Sequence, residues 1–365
     1  MAVYFHPCKV CISVLHIYCL IKDLRFQIGT IKRLKMNIIE IQDREIYVMG
    51  DIHGEFHEAY TRNVQHACII IAGDIGFGFH NFKYYTECIY KKAVKWLEKN
   101  DNIIICVRGN HDDPAYFAGK LFHEERMMCV PDYTIIKGYH HTILCVGGAI
   151  SIDRTYRKDL MAFRPNGPKY WWEDEAPVLD ADKIQEITDA GYRIDTVVTH
   201  TCPNFCYPMD KGVTNSTMTH WLSVDPELRF DLLNERSCMT EIYHLLVDEY
   251  DHPVKRWMYG HYHASHKSIY DGMICQLLDI SEIVPLPTFN DFGALEEIMK
   301  KFRVGECTHE ELCELVSHRM ITWSEWIDAQ PDTYDGYDEW LQSKGLRRNN
   351  RNARQFIKET EENFI

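Results

Sequence analysis

Five short motifs carry side chains suited to chemistry at phosphorus. They are Gly50-Asp51-Ile52-His53-Gly54, Gly73-Asp74, Gly109-Asn110-His111-Asp112, the isolated His200, and Gly260-His261-Tyr262-His263. Their functional groups are carboxylate, imidazole and amide, the donors that hard and borderline dications accept. Two such ions about 3.5–4 Å apart can clamp both the attacking and the leaving oxygen of an in-line displacement at phosphorus. The motifs supply every side chain such a centre needs.

Positioning them falls to short apolar runs. Residues 45–49, 68–72, 103–107, 196–199 and 256–259 each lead into one motif and read as strands covered on both faces. In open α/β sheets the ligand site lies just beyond the carboxyl ends of the strands, so the motifs are expected to converge on one edge. Their glycines permit sharp turns and close backbone approach.

The ordered set resembles the calcineurin-like metallophosphoesterase family, whose pattern is D-x-H, G-D, G-N-H-D/E, H and G-H-x-H. The resemblance implies an α/β fold, a two-sheet β-sandwich flanked by helices. It also implies two divalent transition-metal ions, Mn, Fe, Zn or Ni, with Mn the expected ion in vitro. Asp51, His53 and His263 would hold one ion and Asn110, His200 and His261 the other, with Asp74 bridging. A water or hydroxide activated between the ions would attack phosphorus. His111 would contact the phosphate and protonate the leaving oxygen, a task that a pKa near 6.5 suits, and Asp112 would orient that imidazole.

Departures from relatives bear on substrate. Ser/Thr protein phosphatases share the patterns at residues 50–54 and 108–111, but their second motif continues G-D-x-x-D-R-G. Here it runs Gly73-Asp74-Ile75-Gly76-Phe77-Gly78, without that Arg and second Asp, which argues against a dedicated protein phosphatase. Arg108 is then a candidate phosphate clamp, because a guanidinium fork matches phosphate oxygens. A second candidate group is residues 151–157, with Arg154 and Arg157 as substrate contacts or, equally, salt-bridge partners. Residues 147–175 resemble a stretch of small bacterial and phage-encoded phosphoesterases of unassigned substrate. Trp171 and Trp172 could stack on a base, or divide into one buried ring and one lining a loop.

Composition agrees with an enzyme of small substrates. The 365 residues, 45% hydrophobic, suffice for one large domain with appendages. A formal net charge of −14 disfavours long nucleic acid as partner, since such binding runs on Lys and Arg neutralising phosphates. Short nucleotides remain acceptable, because bound ions supply local positive charge. The 14 Cys are scattered without zinc-ribbon spacing, and Cys68, Cys106 and Cys145 sit inside apolar runs, which points to a reducing cytoplasm and no structural zinc.

Three segments emerge. Residues 1–35 read as an N-terminal extension ahead of a native start at Met36; the apolar run 10–21 is short for a span, and a membrane anchor is the minority reading. Residues 36–287 form the catalytic domain, with helices expected at 55–65, 82–98, 180–190 and 227–250 and a hairpin turned at Asp271-Gly272. Residues 288–365 form a helical tail. In it residues 292–302 have helical spacing, and Thr308 with Glu311 forms a capping box. The tail's aromatics, Trp323, Trp326, Tyr334, Tyr337 and Trp340, are expected to pack on the catalytic domain or mediate oligomerisation. Its basic end, Lys344 to Arg354, reads as a solvated terminus.

Three functions fit: hydrolysis of a small phosphodiester or phosphomonoester, a nuclease acting on DNA or RNA ends, or a non-catalytic metal-binding scaffold. The complete donor set favours the first, since scaffolds lose ligands. Because no motif precedes Gly50, a chain beginning at Met36 is expected to fold and remain active, with expression and thermal melting as the measurements. An insoluble truncation would assign residues 1–35 to the fold.

Overall fold

The computed structural model describes residues 36–41, 44–119, 121–207, 215–286 and 293–362. The readings of residues 1–35 as an extension or anchor lie outside the described residues, as does the domain boundary after residue 287. From Asn37 onward the chain forms one compact unit. Among the described residues no helix is long and apolar enough to cross a membrane.

Among the described residues thirteen strands make two sheets. In chain order they are β1 Ile38–Glu40, β2 Glu45–Met49, β3 Ala67–Ile71, β4 Ile103–Cys106, β5 His123–Glu124, β6 Met127–Cys129, β7 Thr134–Lys137, β8 Thr142–Val146, β9 Thr196–Thr199, β10 Arg256–Tyr259, β11 His266–Tyr270, β12 Met273–Leu277 and β13 Ile283–Pro285. One sheet runs β13-β2-β3-β4-β6-β5 and the other β1-β7-β8-β9-β10-β12-β11. The side-chain period of two decides what each face meets. Ile46, Val48, Cys68, Ile70, Ile105 and Val107 turn inward to meet Ile136, Ile143, Cys145, Val198 and Met258 of the other sheet. The alternate residues Met49, Ile69, Ile71, Ile104 and Cys106 pack outward under Phe56, Tyr85, Ala93 and Leu97. Burial on both faces explains why these strands read as unbroken apolar runs.

Register brings the strand ends together. Parallel pairing sets Met49 opposite Ile71 and Ile71 opposite Cys106, and in the second sheet Val146 opposite Thr199 and Val198 opposite Met258. The loops that follow therefore leave along one edge. β11 and β12 form the expected antiparallel hairpin, with Asp271 (φ 46°) and Gly272 (φ 73°) both left-handed at its turn.

Some helices depart from expectation. The one expected over 55–65 is confined to Phe56–Tyr60, ending where the Thr61 backbone and hydroxyl both donate to His57 O. Two long helical stretches each contain a π-helical segment, Tyr84–Tyr90 before the helix Lys91–Lys99 and His244–Glu249 after Leu228–Tyr243. The tail is helical and has its own core. Its helices are Gly293–Arg303, His309–Ser317 with the Thr308/Glu311 capping box, Trp323–Asp328, Tyr337–Lys344 and Asn350–Glu362.

Trp326, Tyr334, Tyr337 and Phe356 pack with Leu312, Leu315 and Ile357 rather than being spent on the catalytic domain. Nor is the basic end a frayed terminus. Arg347 pairs with Glu249 (3.1 Å), Arg348 with Asp328 (2.8 Å), and Arg354 with Asp248 and Asp271. Leu315 is fully buried in this cluster. Leu315→Ala is expected to cost about 2–5 kcal/mol of tail stability, read by urea unfolding through tryptophan fluorescence. A loss under ~1 kcal/mol would contradict the packing described.

Candidate metal centre

Loops from both sheets meet at the shared edge. Asp51 follows β2, Asp74 follows β3, Asn110 and His111 follow β4, His200 follows β9, and His261 and His263 follow β10. Among the described residues three groups have ligand atoms mutually within 4.8 Å: Asp51, His53 and His263; His53, Asp74 and His111; Asp51, Asp74 and His200. Asp74 faces two ways. Its Oδ1 lies 3.2 Å from His200 Nε2, while Oδ2 lies 3.9 Å from His53 Nδ1 and 3.8 Å from His111 Nε2. Asp51 Oδ2 lies 3.2 Å from His263 Nε2 and 3.7 Å from His53 Nε2. Asn110 Oδ1 is 2.9 Å from His200 Nε2. His261 stands beside these groups, its ring centroid 4.9 Å from that of His200 and its N–H donating to Asp51 Oδ1 at 3.0 Å.

The backbone is strained where the side chains converge. His53 (φ 45°), Asp74 (φ 50°), His261 (φ 70°) and His263 (φ 46°) are all left-handed, a conformation that non-glycine residues adopt only where surrounding structure imposes it. Two glycines keep the approach open. A Cβ on Gly109 would stand 2.1 Å from Asp74 Oδ1, and one on Gly260 2.0 Å from Asp51 Oδ1.

Charge accounts for the donor set. Asp51 and Asp74 are each only 1% exposed. Burial alone would raise both carboxyls, but His200 and the neighbouring imidazoles outweigh it and hold both below the ordinary range. For His200, burial opposes protonation, yet Asp74 and Asp51 lift it to about 10. A cluster of buried carboxylates and imidazoles with both signs of shift fits divalent cations, because a dication balances the carboxylates directly. Asp51, His53, Asp74, His111, His200 and His263 bring ligand atoms close enough together to hold a cation, with Asn110 and His261 standing beside them.

His111 lies over the centre but differs from the expectation. Loss of solvation in its partly covered corner pushes the imidazole down to about 4; Asp74 opposes this and Arg157 adds to it. At neutral pH the ring is therefore uncharged and offers an N–H rather than a ready proton. Arg157 faces it, Nη2 at 3.1 Å from Nε2 and Nη1 at 3.3 Å from Nδ1. Phe79 stands on another side, its centroid 6.4 Å away.

Three expectations are corrected. Asp112 does not orient the His111 ring; its buried carboxylate accepts the N–H groups of Ile75, Gly76, Phe77 and Gly109, tying the second motif's loop to the third. Arg108 is buried and donates to Asp174 O, Glu175 O, Ala176 O and Asp132 Oδ2, so its fork is occupied by protein. Arg154 is likewise taken, by Asp225 (2.6 Å) and Asp231 (2.6 Å). Of the two arginines in residues 151–157, Arg157 reaches the site; the three-residue spacing gave no means of choosing between them. The tryptophans divide as weighed: Trp172 is buried near Phe79 at 5.8 Å, and half-buried Trp171 lies under the Lys158 ammonium at 4.0 Å.

Comparison with known proteins gives three kinds of result. Among solved structures the chain is similar to the phosphopantetheinyl hydrolase of Mycobacterium tuberculosis, with 13% identity over 65% of this chain and 90% of that one and a TM-score of 0.29. It is similar to a dimetal phosphatase from Danio rerio, with 11% identity over 65% and 88% and a TM-score of 0.33, and to GAP50, the anchor in the inner membrane complex of Plasmodium, with 12% over 66% and 72% and a TM-score of 0.31. No curated protein matches the sequence. The family model for calcineurin-like phosphoesterases matches residues 44–265, more than half of the chain and all five motifs, and the chain belongs to that family.

Proposed function

We propose that this protein is a dinuclear metal-dependent phosphoesterase that hydrolyses small phosphomonoesters or phosphodiesters, nucleotides included. The observation that carries the reading is Asp74, one buried carboxylate whose two oxygens face separate sets of imidazoles. Bound there, two dications would supply Lewis acidity toward the phosphoryl oxygens and a water of lowered pKa. The chain's own groups do the rest. Asp51, His53 and His263 fix one position; Asn110, His200 and His261 fix the other.

Arg157 is placed to take a non-bridging phosphate oxygen by exchanging an Nη contact with the His111 ring for one with substrate, which leaves the neutral His111 free to turn its N–H to the oxygen that departs. Asp153 braces the guanidinium through Nε at 2.6 Å, and Tyr170 O accepts from Nη1 at 3.1 Å, so the fork is oriented before substrate arrives. Phe79 and Tyr170, with ring centroids 6.2 Å apart, give the leaving group an apolar flank. With Arg108 and Arg154 occupied, a single guanidinium supplements the ions, which suits a small ester better than a folded phosphoprotein.

Chelation is expected to abolish turnover and Mn²⁺ to restore it. Asp74→Asn should lose metal, whereas His111→Gln and Arg157→Ala should keep it and lose roughly 10²–10³-fold in kcat/KM. Assays on p-nitrophenyl phosphate, bis-p-nitrophenyl phosphate, a phosphopeptide and duplex DNA should favour the small esters. Turnover that survives exhaustive chelation, or a preference for peptide or duplex above about tenfold, ~1.4 kcal/mol of transition-state binding, overturns the reading.

A further inference from the structure

Asn110 is the one amide among the candidate ligands, and its side chain can present the wrong end. A carboxylate has an oxygen on either side, and an imidazole nitrogen can shed its proton, but an amide turned by 180° would offer NH₂ to a cation. Something must fix its orientation. The chain behind it does so by elimination of hydrogen-bond roles.

Glu175 and Ser151 are both buried, 24 positions apart in sequence. The Glu175 carboxylate, an acceptor only, takes the Ser151 N–H on Oε1 at 3.0 Å and the Ser151 hydroxyl on Oε2 at 2.6 Å. The hydroxyl has one proton, and it is used. Toward Asn110, 2.9 Å away, Ser151 Oγ can only accept, so the group facing it must be Nδ2–H. Asn110 Oδ1 is thereby turned to the side of His200 and Asp74.

Neighbouring contacts hold the pair in place. Glu175 O accepts from Arg108 Nη1 at 2.8 Å and from Ala149 N at 3.1 Å, and Ile150 N–H donates to the buried Glu235 carboxylate at 2.6 Å. Arg108, expected to grip phosphate, instead secures the loop that carries Glu175.

We propose that Glu175 and Ser151 are positioning residues that set the polarity of the Asn110 amide, keeping its carbonyl oxygen toward the metal centre. The inference rests on the reading of Asn110 as a ligand, given under the proposed function. It assigns a use to residues 147–175, a stretch outside the five motifs.

Glu175→Gln tests it with almost no change of shape. The glutamine oxygen must stay on the Ser151 N–H, so its NH₂ meets Ser151 Oγ and donates. The serine proton, no longer accepted by residue 175, is then free to turn to Asn110, which would present Oδ1 to it and NH₂ to the metal. The expected result is loss of one of two bound Mn²⁺ equivalents, or a roughly 10–100-fold weaker affinity for it. Calorimetry and elemental analysis would read this on the full chain, with the melting temperature as a separate measurement.

Asn110→Asp in the Glu175→Gln background should restore the second equivalent, because a carboxylate has oxygen at both ends. A purely structural role for Glu175 would lower the melting temperature without moving the stoichiometry, and Asn110→Asp would rescue nothing; either outcome overturns the proposal. Ser151→Ala gives a second route, since it frees the amide to turn and should weaken the same equivalent, and unchanged affinity there also overturns it. Asn110→Ala separates the two levels. If it keeps both equivalents, the ligand reading itself fails; if it loses one while Glu175→Gln keeps both at unaltered affinity, only the orienting role fails.

Discussion

Two carboxylates buried within a few ångströms of one another are the constraint on which this molecule is built. Removing an ion from water costs several kcal/mol even after relaxation, and two like charges add repulsion. Asp51 and Asp74 both stay ionised, so the surroundings must offset that cost. In the protein alone His200 does so as an imidazolium, lifted to about 10 by the same carboxylates. A cation-shaped need is thus written into the packing. Dications meet it more fully than one imidazolium, and His53, His263, His261 and Asn110 are gathered where such ions would complete their coordination.

The sandwich makes this arrangement affordable in conformational terms. Four of the seven candidate ligands sit in the left-handed region, each at an expense of order 1–3 kcal/mol. Strain of that size persists only if the ends of the strained loops cannot move. Here they are continuations of strands locked in register between two apolar layers. Asp112 adds a clamp of its own, since its four backbone acceptances join the loops after β3 and β4 into one unit. Rigidity in the core and strain at the edge are two sides of one design.

The parts of this design that were legible in the sequence are those that local pattern encodes. Apolar runs such as residues 45–49 and 196–199 coincide with β2 and β9, and the ordered motifs found the residues that converge. The strands β5, β6, β7 and β13 escaped because they are two to four residues long and, unlike the equally short β9, lead into no motif that marks them. Partners distant in sequence were invisible too. Nothing in residues 151–157 says that Arg154 meets Asp225, 71 positions on, while Arg157 meets His111. Arg108 looked like a phosphate clamp because an arginine beside a metal motif has two uses, and only the positions of the carbonyl oxygens of 174–176 decide between them. The tail's aromatics read as an interface for the same reason: a core made within a segment and one made against a neighbour have the same composition.

The two arginines engaged by protein groups help to position the third, which meets His111. Arg154 opens the helix Arg154–Phe163, and its bidentate hold on Asp225 anchors that first turn. Residues three apart on a helix share a face, so fixing Arg154 fixes the direction in which Arg157 leaves. Arg108 pins residues 174–176, a few positions beyond Tyr170, whose carbonyl steadies Arg157 in turn. The guanidinium that meets His111 is therefore preorganised by two others already neutralised by carboxylates or carbonyls. Positive charge near the centre then comes from Arg157, the His200 imidazolium and whatever cations the carboxylates attract. In a chain of net charge −14, the field of these groups fades within about a Debye length, ~8–10 Å at physiological salt. On the proposed function, a phosphoester whose charge is concentrated on one group falls within that range, whereas most of a long polyanion lies beyond it.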